Sequence, residues 1–458
     1  MTNTCSIIGL GILGASMAAA MASRGFDVIG VDINKRSVDL LNEGRAPVSE
    51  TDIDKFITKN KDRLRATMSH EEAILNSDVS FVSVPTPSDD RGAFSLQYVA
   101  WAFTKIGKAL TKKDSYHNVV LTSTVLPGST RYGLLPILEK ESGKKCGADF
   151  GLCYSPEFIA LGSVIRDFLK PDFHLIGQYD EKSGRMLKDL YSKVVLNNPP
   201  CKRMTIENAE LTKIALNTFL TTKITFANML SMLCQMIPGG DVDVVTDALG
   251  TDSRIGHQYL KGGLGYGGPC FPRDNRALSF IARELGAIVE LAEITDQMNI
   301  QYPKKIISYL SSFLKPYQTV AILGLSYKPH THVIEESQGI ALARLLSKLG
   351  LRVLAFNPMV TEEPHEELYD DGIIMSSVSD CLKHADVVII ATPDPAFSEL
   401  GPDDFRNTVT IIDFWRILDK EVRKAPNVRY IPIGKSINND SNEARLKKLW
   451  ETPKDHKV

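Results

Sequence analysis

One cysteine follows a glycine-rich segment and stands among charged residues. Residues 261–274 have the sequence KGGLGYGGPCFPRD, in which five glycines precede Cys270. Glycines allow a backbone to wrap closely around a ligand. The glycine amides and Arg273 would stabilise a thiolate, which is the form of cysteine that attacks a carbonyl carbon. The pattern therefore predicts that Cys270 is a covalent nucleophile rather than a small buried apolar residue.

Two polar residues with helical spacing are candidates for stabilising an oxyanion. Lys213 and Asn217 lie four residues apart in segment 204–236, which contains no glycine or proline and whose apolar residues recur at helical intervals. Side chains with this spacing share one face of a helix, with Glu210 one turn earlier. An ammonium and a carboxamide on that face would stabilise an oxyanion on a substrate. On its own, the pair is also compatible with a solvated helix face.

A dinucleotide-binding pattern lies near the N-terminus. Residues 9–14 have the sequence GLGILG and stand between a predicted strand and a predicted helix. Such glycines allow a tight turn, close approach of a pyrophosphate and close packing of helix on strand. The next predicted strand ends in Asp32, which would accept hydrogen bonds from ribose hydroxyls and repel a 2'-phosphate, so NAD is favoured over NADP. The predicted cofactor contacts here are Gly9, Gly11, Ile12, Leu13, Gly14 and Asp32.

Two later apolar runs end in turns that would lie beside this pattern. Segment 77–84 ends at Pro85 and Thr86, and segment 117–122 ends just before Thr124. Open α/β sheets bind ligands at the carboxyl ends of their strands. Pro85, Thr86 and Thr124 are therefore added to the predicted cofactor site.

The strand pattern recurs about 310 residues further along the chain. Segment 319–325 repeats the pattern of 5–11, 351–357 stands where 27–32 stood, and 385–393 repeats that of 77–87. The repeat predicts an α/β protein with two doubly wound, Rossmann-like domains joined by a long central helix. The second unit lacks the triple glycine, so we expect no second dinucleotide there. Lys328 would instead offer a cation to a nucleotide moiety.

The composition excludes several classes of protein. The 458 residues are 43% hydrophobic and 24% charged, with a net charge of -2, which indicates a globular protein without bias toward nucleic acid or anionic membranes. We expect neither a signal peptide nor a membrane-spanning helix, because no basic region precedes an apolar stretch at the N-terminus and no run of 18 apolar residues occurs. The seven cysteines are scattered, without the spacings of a disulfide framework or zinc site, so we expect a cytoplasmic protein without a metal. The charged tail after Ser441 predicts a frayed terminus.

In this order, the motifs resemble the UDP-glucose/GDP-mannose dehydrogenase family over residues 6–419. The family patterns STVxPG, NPEF, DFxxPD, AELxKxAxNxFL and GFGGSCFPKD match this chain at 123–128, 155–158, 167–172, 209–220 and 265–274. The resemblance implies an N-terminal NAD-binding domain at 1–200, a central helical segment for dimerisation and the active site at 201–300, and a C-terminal nucleotide-sugar-binding domain at 301–458.

The resemblance also implies a reaction. NAD would oxidise the C6 alcohol of a nucleotide sugar in two hydride transfers, through a thiohemiacetal and a thioester on Cys270, to the uronic acid. Lys213 and Asn217 would stabilise the oxyanion. Asp274, with Thr124 and Glu157, would manage protons and the hydrolytic water. UDP-glucose is the expected substrate, with GDP-mannose or a UDP-N-acetylhexosamine as alternatives.

Substrate contacts and a homodimer, in which Arg254 reaches the partner's site, follow from the same resemblance. The implied substrate contacts are Phe158, Lys213, Asn217, Arg254, Tyr259, Lys261, Tyr266, Gly267, Lys328 and Arg416.

This chain departs from the family pattern at several positions. Leu161 replaces a common glutamate, and Glu335 stands where an arginine would contact NAD. Pro269 and Arg273 replace serine and lysine beside the cysteine, and the C-terminal arginine is shifted by one residue to Arg416. Two other functions therefore stay open. They are a single-step dehydrogenase of the β-hydroxyacid type and a non-catalytic nucleotide-sensing protein.

Overall fold

Two parallel sheets organise the computed structural model, which describes residues 3–359, 368, 371, 373–405, 407–437 and 440–450. The chain divides into two compact units. The N-terminal unit comprises Met1–Leu216 and Ala277–Ile288, and the C-terminal unit comprises Asn217–Arg276 and Val289–Val458. The two units interleave along the chain, so they do not correspond to three consecutive segments. The boundaries predicted at residues 200 and 300 stay predictions.

The N-terminal unit contains an eight-stranded sheet with the order β3-β2-β1-β4-β5-β6-β7-β8. All neighbours pair in parallel except β6 and β7. The order reverses between β1 and β4, which is where doubly wound sheets bind ligands. The strands are β1 Thr4–Ile8, β2 Asp27–Val31, β3 Leu64–Thr67, β4 Val79–Val82, β5 His117–Leu121, β6 Phe150–Tyr154, β7 His174–Gln178 and β8 Cys201–Thr205.

Helices cover both faces of this sheet, as a parallel sheet requires. In the helix after β1, the small side chains Ala15, Ala18, Ala19 and Ala22 are at most 1% exposed, because alanine lets a helix approach a sheet closely. The helices are α1 Ile12–Ser23, α2 Lys35–Asn42, α3 Ile53–Lys59, α4 His70–Leu75, α5 Gln97–Leu110, α6 Leu135–Ser142, α7 Val164–Leu169, α8 Glu181–Val194 and α9 Ile206–Met236.

The C-terminal unit contains a six-stranded, wholly parallel sheet with the order β11-β10-β9-β12-β13-β14. This order matches that of the first six strands of the N-terminal sheet. The duplication and the fold class predicted from the sequence are therefore confirmed. The strands are β9 Thr319–Leu323, β10 Arg352–Phe356, β11 Ile373–Met375, β12 Val387–Ile390, β13 Val409–Asp413 and β14 Val428–Pro432.

The long predicted helix is present as α9, which has 31 residues and begins two residues later than predicted. The prediction of a frayed terminus is wrong for residues 441–450, which continue a helix that begins at Asp440. Residues 451–458 lie outside the described part of the chain. The remaining helices are α10 Val242–Thr251, α11 Phe271–Glu284, α12 Glu290–Leu310, α13 Gln338–Lys348, α14 Val378–His384, α15 Pro395–Ser398, α16 Lys420–Lys424 and α17 Asp440–Trp450.

Among the described residues, no helix combines the length and apolar character needed to cross a bilayer.

Candidate active site

Gly9, Gly11 and Gly14, which follow β1, differ in how much space surrounds them. Gly9 has a φ of +99°, and a Cβ there would lie 2.1 Å from the carbonyl oxygen of Ser83. A Cβ on Gly14 would lie 1.9 Å from the carbonyl oxygen of Gly9. A Cβ on Gly11 would meet no described atom within 4 Å. The fold therefore requires Gly9 and Gly14, whereas Gly11 leaves open space beside the N-terminus of α1, as a bound pyrophosphate needs.

The Asp32 carboxylate is held by two backbone amides at the same edge. Its Oδ2 accepts a hydrogen bond from the amide of Leu10 at 2.7 Å, and its Oδ1 accepts one from Asn34 at 2.8 Å. A carboxylate has about four acceptor positions, so both oxygens can still accept from ribose hydroxyls. With Gly11 and the predicted first turn of α1 at Ile12 and Leu13, these residues fit NAD.

The turns after β4 and β5 are joined by hydrogen bonds. The Thr86 hydroxyl donates to the carbonyl of Thr124 at 2.8 Å, and the Ser123 hydroxyl accepts from the amide of Val84 at 2.9 Å. Thr124 is half-buried and Pro85 is exposed. The N-terminal unit thus brings these residues to the carboxyl ends of neighbouring strands, as predicted from the sequence.

Glu157 and Lys213 lie together in the N-terminal unit. The Lys213 ammonium donates to the carbonyl oxygen of Glu157 at 2.7 Å and lies 4.5 Å from the centre of the Phe158 ring. Burial raises the pKa of Glu157 to about 7, although a hydrogen bond from Tyr191 and the Lys213 charge act in the opposite direction. A carboxyl group with this pKa can take up and release a proton near neutral pH.

Glu210 has a structural task that the sequence did not reveal. Its fully buried carboxylate accepts hydrogen bonds from the amides of Gly128 at 2.6 Å and Thr130 at 2.9 Å. Burial raises its pKa to about 7, against the lowering effect of those hydrogen bonds. Glu210 precedes Lys213 by one helical turn, so it fixes the loop after Thr124 to the helix that carries the lysine.

In the C-terminal unit, Asn217 contacts the buried carboxylate of Asp274. The Asn217 amide donates to Asp274 Oδ2 at 2.6 Å, and the Arg273 guanidinium lies 3.4 Å from Oδ1. Cys270 is exposed and directly precedes α11, and its carbonyl accepts from the Asp274 amide at 2.9 Å. The positive end of a helix dipole, such as the N-terminus of α11, favours the thiolate form of a nearby thiol.

The glycine-rich segment packs closely against protein, and contact of its backbone with a ligand stays a prediction. A Cβ on Gly263 would lie 2.6 Å from Trp415, and one on Gly265 would lie 2.2 Å from Asn299 Oδ1. A Cβ on Gly267 would lie 2.5 Å from the carbonyl oxygen of Glu336. These glycines let the segment lie close to the rest of its own unit. The predicted substrate contact of Gly267 stays a prediction that only its backbone could fulfil.

Tyr266, a predicted substrate contact, is buried in the C-terminal unit, and the contact stays a prediction. Tyr266 is 4% exposed, and its hydroxyl accepts from Asn275 at 2.9 Å and donates to Asp296 at 3.4 Å. Its amide and carbonyl both bond the Asn299 side chain at 2.9 Å. Tyr266 therefore anchors the glycine-rich segment from behind.

Arg416 is also buried in the C-terminal unit, and its substrate contact stays a prediction. Its Nε and one terminal nitrogen pair with the Asp243 carboxylate at 2.7 and 2.8 Å. The remaining N–H groups donate to the carbonyl oxygens of Phe414, Ile433 and Gly262. All five guanidinium donors are thus used by protein oxygens. The bond to Gly262 makes Arg416 a support for the glycine-rich segment.

Four predicted substrate residues keep accessible side chains in the C-terminal unit. The Arg254 side chain is 86% exposed and pairs with Asp252 at 2.6 Å. Tyr259 is 46% exposed and has a φ of 61°, a conformation that bulky residues rarely adopt. Lys261 is exposed and Lys328 is half-buried. These assignments stay predictions.

Leu161 and Glu335 are the two departures from the family pattern that lie near predicted ligand contacts. Leu161 is half-buried in the N-terminal unit, and Glu335 is exposed in the C-terminal unit. The Glu335 carbonyl accepts from the Gly268 amide at 2.9 Å. The backbone of Glu335 therefore helps to hold the glycine-rich segment.

Comparison with known proteins identifies the family. Models of the UDP-glucose/GDP-mannose dehydrogenase family match residues 3–195 (NAD binding domain), 207–301 (central domain) and 321–420 (UDP binding domain). The chain belongs to this family. The family and NAD predictions made from the sequence are thereby confirmed.

Several members of the family are similar over nearly the whole chain. A UDP-glucose 6-dehydrogenase of Haloferax volcanii is 36% identical over 91% of this chain and 97% of its own length. A GDP-mannose 6-dehydrogenase of Pseudomonas aeruginosa is 32% identical over 86% of this chain and 92% of its own length. The structure of a UDP-glucose dehydrogenase from Pyrobaculum islandicum has a TM-score of 0.85 at 33% identity, covering 95% and 98% of the two chains.

The different surroundings of Gly11 and Gly14 give a paired prediction for NAD binding. Gly11→Ala should fold like the unchanged protein but bind NAD at least about tenfold more weakly, because its methyl group fills the space beside the N-terminus of α1. Gly14→Ala should lower the free energy of unfolding by more than about 2 kcal/mol. Calorimetric titration and chemical denaturation measure the two effects. Unchanged NAD affinity in Gly11→Ala would contradict the placement of the pyrophosphate.

The buried Arg416–Asp243 pair gives a prediction for stability. Arg416→Met should lower the free energy of unfolding by about 3 kcal/mol, because it leaves a half-buried carboxylate and three carbonyl oxygens without a donor. Arg352→Met, at an exposed arginine of β10, serves as the control and should change it by less than about 0.5 kcal/mol. If Arg416→Met left the free energy of unfolding unchanged and only raised the KM for the sugar nucleotide, the result would support Arg416 as a substrate contact.

Proposed function

We propose that this chain oxidises the C6 alcohol of UDP-glucose to the carboxylate of UDP-glucuronate, with a covalent intermediate on Cys270. The observation that carries the proposal is the exposed Cys270 at the start of α11, one turn before a buried Asp274 that is bound by Asn217. A single-step dehydrogenase would not need a cysteine in such a place. A binding protein would not need the buried carboxylate beside it.

The choice of UDP-glucose is supported by the similar proteins. Relatives named for UDP-glucose are 36% and 33% identical to this chain, and the GDP-mannose relative is 32% identical. GDP-mannose is therefore the second candidate.

NAD, which the turn at residues 9–14 and Asp32 would hold, would supply the hydride acceptor, with one NAD molecule for each of the two hydrides. The C6 alcohol loses one hydride and one proton to become an aldehyde. The Cys270 sulfur then bonds to that carbon, and Lys213 and Asn217 stabilise the negative oxygen that forms. Loss of a second hydride leaves a thioester. Water then replaces the sulfur, giving the acid and the free thiol.

Glu157 is the group in the N-terminal unit that suits the hydrolytic step. Its pKa near 7 lets it accept a proton from the attacking water and release that proton to solvent afterwards. Thr124 would help to orient the water, and Asp274 would manage protons in the earlier steps. Phe158, Tyr259 and Lys261 would contact the sugar nucleotide.

A homodimer is also part of the proposal. The C-terminal half of α9 has an exposed apolar stripe, in which Phe219, Phe226 and Leu233 are 64%, 45% and 53% exposed. Their spacing of seven residues places them on one helix face. A second copy covering this stripe would bring Arg254 to the partner's site.

All seven cysteines are free thiols, which supports a reducing cytoplasm as the location.

The central experiment measures the stoichiometry and the role of Cys270. The unchanged protein should release two NADH per UDP-glucose consumed and carry a transient acyl group on Cys270 that mass spectrometry detects. Cys270→Ser should lower the rate of acid formation at least about a thousandfold. Cys201→Ser, at a half-buried thiol of β8, is the matched control and should keep full activity.

Other stoichiometries would support the alternatives. One NADH per sugar, unchanged in Cys270→Ser, would indicate a single-step dehydrogenase. Binding of NAD and sugar nucleotides without NADH release from UDP-glucose, GDP-mannose or UDP-N-acetylhexosamines would indicate a sensing protein.

The exposed α9 stripe gives a separate prediction for assembly. Phe226→Glu should convert the dimer to a monomer, because a charge would have to be buried in the apolar contact. Analytical ultracentrifugation measures the change, and Lys304→Glu on α12 provides a control substitution of comparable charge. A monomeric unchanged protein would contradict the dimer.

A further inference from the structure

A tyrosine that the sequence did not single out lies behind the Glu157 carboxyl. Tyr191, on α8, is 1% exposed, and its hydroxyl donates to Glu157 Oε1 at 3.2 Å. The same hydroxyl lies 3.0 Å from the Ser155 hydroxyl, which reaches the carbonyl of Leu175 at 2.9 Å. Four groups therefore form a continuous hydrogen-bonded chain from the carboxyl to the backbone of β7.

The ring of Tyr191 is fixed independently of these bonds. It stacks on the His174 imidazole with ring centres 4.2 Å apart and an interplanar angle of 9°. It also packs in the main apolar core of the N-terminal unit. Because the ring cannot turn easily, its hydroxyl oxygen is a fixed point against which the Glu157 carboxyl is oriented.

The chain can serve Glu157 in either protonation state. When Glu157 is ionised, Tyr191 donates its proton to the carboxylate and can accept the one from Ser155. When Glu157 is protonated, it can donate to Tyr191, which then donates to Ser155, and Ser155 donates to Leu175. Because each hydroxyl has one proton, all three bonds form when Glu157 is protonated, whereas Ser155 donates either to Tyr191 or to Leu175 when Glu157 is ionised. A group that gains and loses a proton in every catalytic cycle needs such a partner.

We propose that Tyr191 is a positioning residue for Glu157 during thioester hydrolysis, through the hydrogen-bonded chain Glu157–Tyr191–Ser155. This inference rests on the proposed function, in which Glu157 accepts the proton of the attacking water. Tyr191 itself touches neither substrate nor cofactor in this assignment. Its hydroxyl orients the carboxylate and stabilises its charge.

Several titratable groups lie around this hydrogen-bonded chain. From β7, burial lowers the pKa of His174 to about 4. From β6, burial raises the pKa of Cys153 to about 12. From α9, the Lys213 charge lowers the pKa of Glu157 without offsetting its burial. Burial raises the pKa of Tyr191 itself well above its ordinary value. Burial also raises the pKa of Glu210, one turn before Lys213 on α9, to about 7. The shift that Tyr191→Phe causes, rather than the position of the limb, therefore reports on Glu157.

The test is Tyr191→Phe, which removes the hydroxyl and keeps the ring against His174. Loss of a donor to the carboxylate raises the pKa of Glu157. The acidic limb of the hydrolysis rate should therefore move toward higher pH by about one pH unit, and hydrolysis at pH 7 should slow up to about tenfold. Rapid quenching and mass spectrometry should show acyl-Cys270 accumulating, while the first NADH is released at an unchanged rate.

Two controls separate positioning from general damage. Tyr116→Phe removes a hydroxyl that has no hydrogen-bond partner among the described residues, and it should leave the pH profile unchanged. Tyr191→Phe added to Glu157→Gln should slow hydrolysis no further, because the two residues act as one unit. If Tyr191→Phe does not fold, Ser155→Ala tests the same chain and should move the acidic limb in the same direction by a smaller amount.

The outcomes are distinguishable. An unchanged acidic limb in a folded Tyr191→Phe, with acyl-Cys270 formed as in the unchanged protein, overturns the role of Tyr191 alone. An unchanged protein that never forms acyl-Cys270 overturns the proposed function instead.

Discussion

The attachment of α9 to the edge of the N-terminal sheet is the constraint on which the rest of the site depends. The Glu210 carboxylate binds the loop after β5, and the Lys213 ammonium binds the Glu157 carbonyl in the loop after β6. Both residues lie in the first three turns of one helix, so two loops are fixed relative to each other by a rigid element. A helix of 31 residues then continues to Asn217 and the C-terminal unit.

This attachment places two carboxyl groups in buried surroundings that disfavour their charged form. Carboxyl groups close to buried backbone lose hydration, and burial raises the pKa of both Glu157 and Glu210 to about 7. Glu210 uses two backbone amides to remain a hydrogen-bond acceptor. Glu157 has one phenol and a nearby ammonium as partners, and its pKa is raised to the same value. The same physical effect thus acts on a structural residue of α9 and on a candidate base in the loop after β6.

The sequence predicted the fold well because hydrophobic periodicity and glycine spacing are local signals. The duplicated doubly wound architecture and the long helix α9 both follow from such patterns. The structural partners of Tyr266 and Arg416 could not be predicted from local patterns. Both residues lie in segments typical of the family, but their side chains are directed by partners distant in sequence, namely Asp296 and Asp243. Tyr191 was missed for the same reason, because its link to Glu157 spans 34 residues.

The duplicated sheets show which part of a nucleotide-binding turn is structural and which is chemical. In the N-terminal unit, Asp32 accepts from the amide of Leu10 at 2.7 Å. In the C-terminal unit, Asn357 occupies the corresponding strand end and accepts from the amides of Leu325 and Ser326 at 3.0 and 3.1 Å. The bond that closes the turn is therefore kept in both units, while the negative charge is kept in one. Because an amide does not repel a phosphate as a carboxylate does, the second turn keeps the Rossmann-like geometry without the charge that selects NAD over NADP.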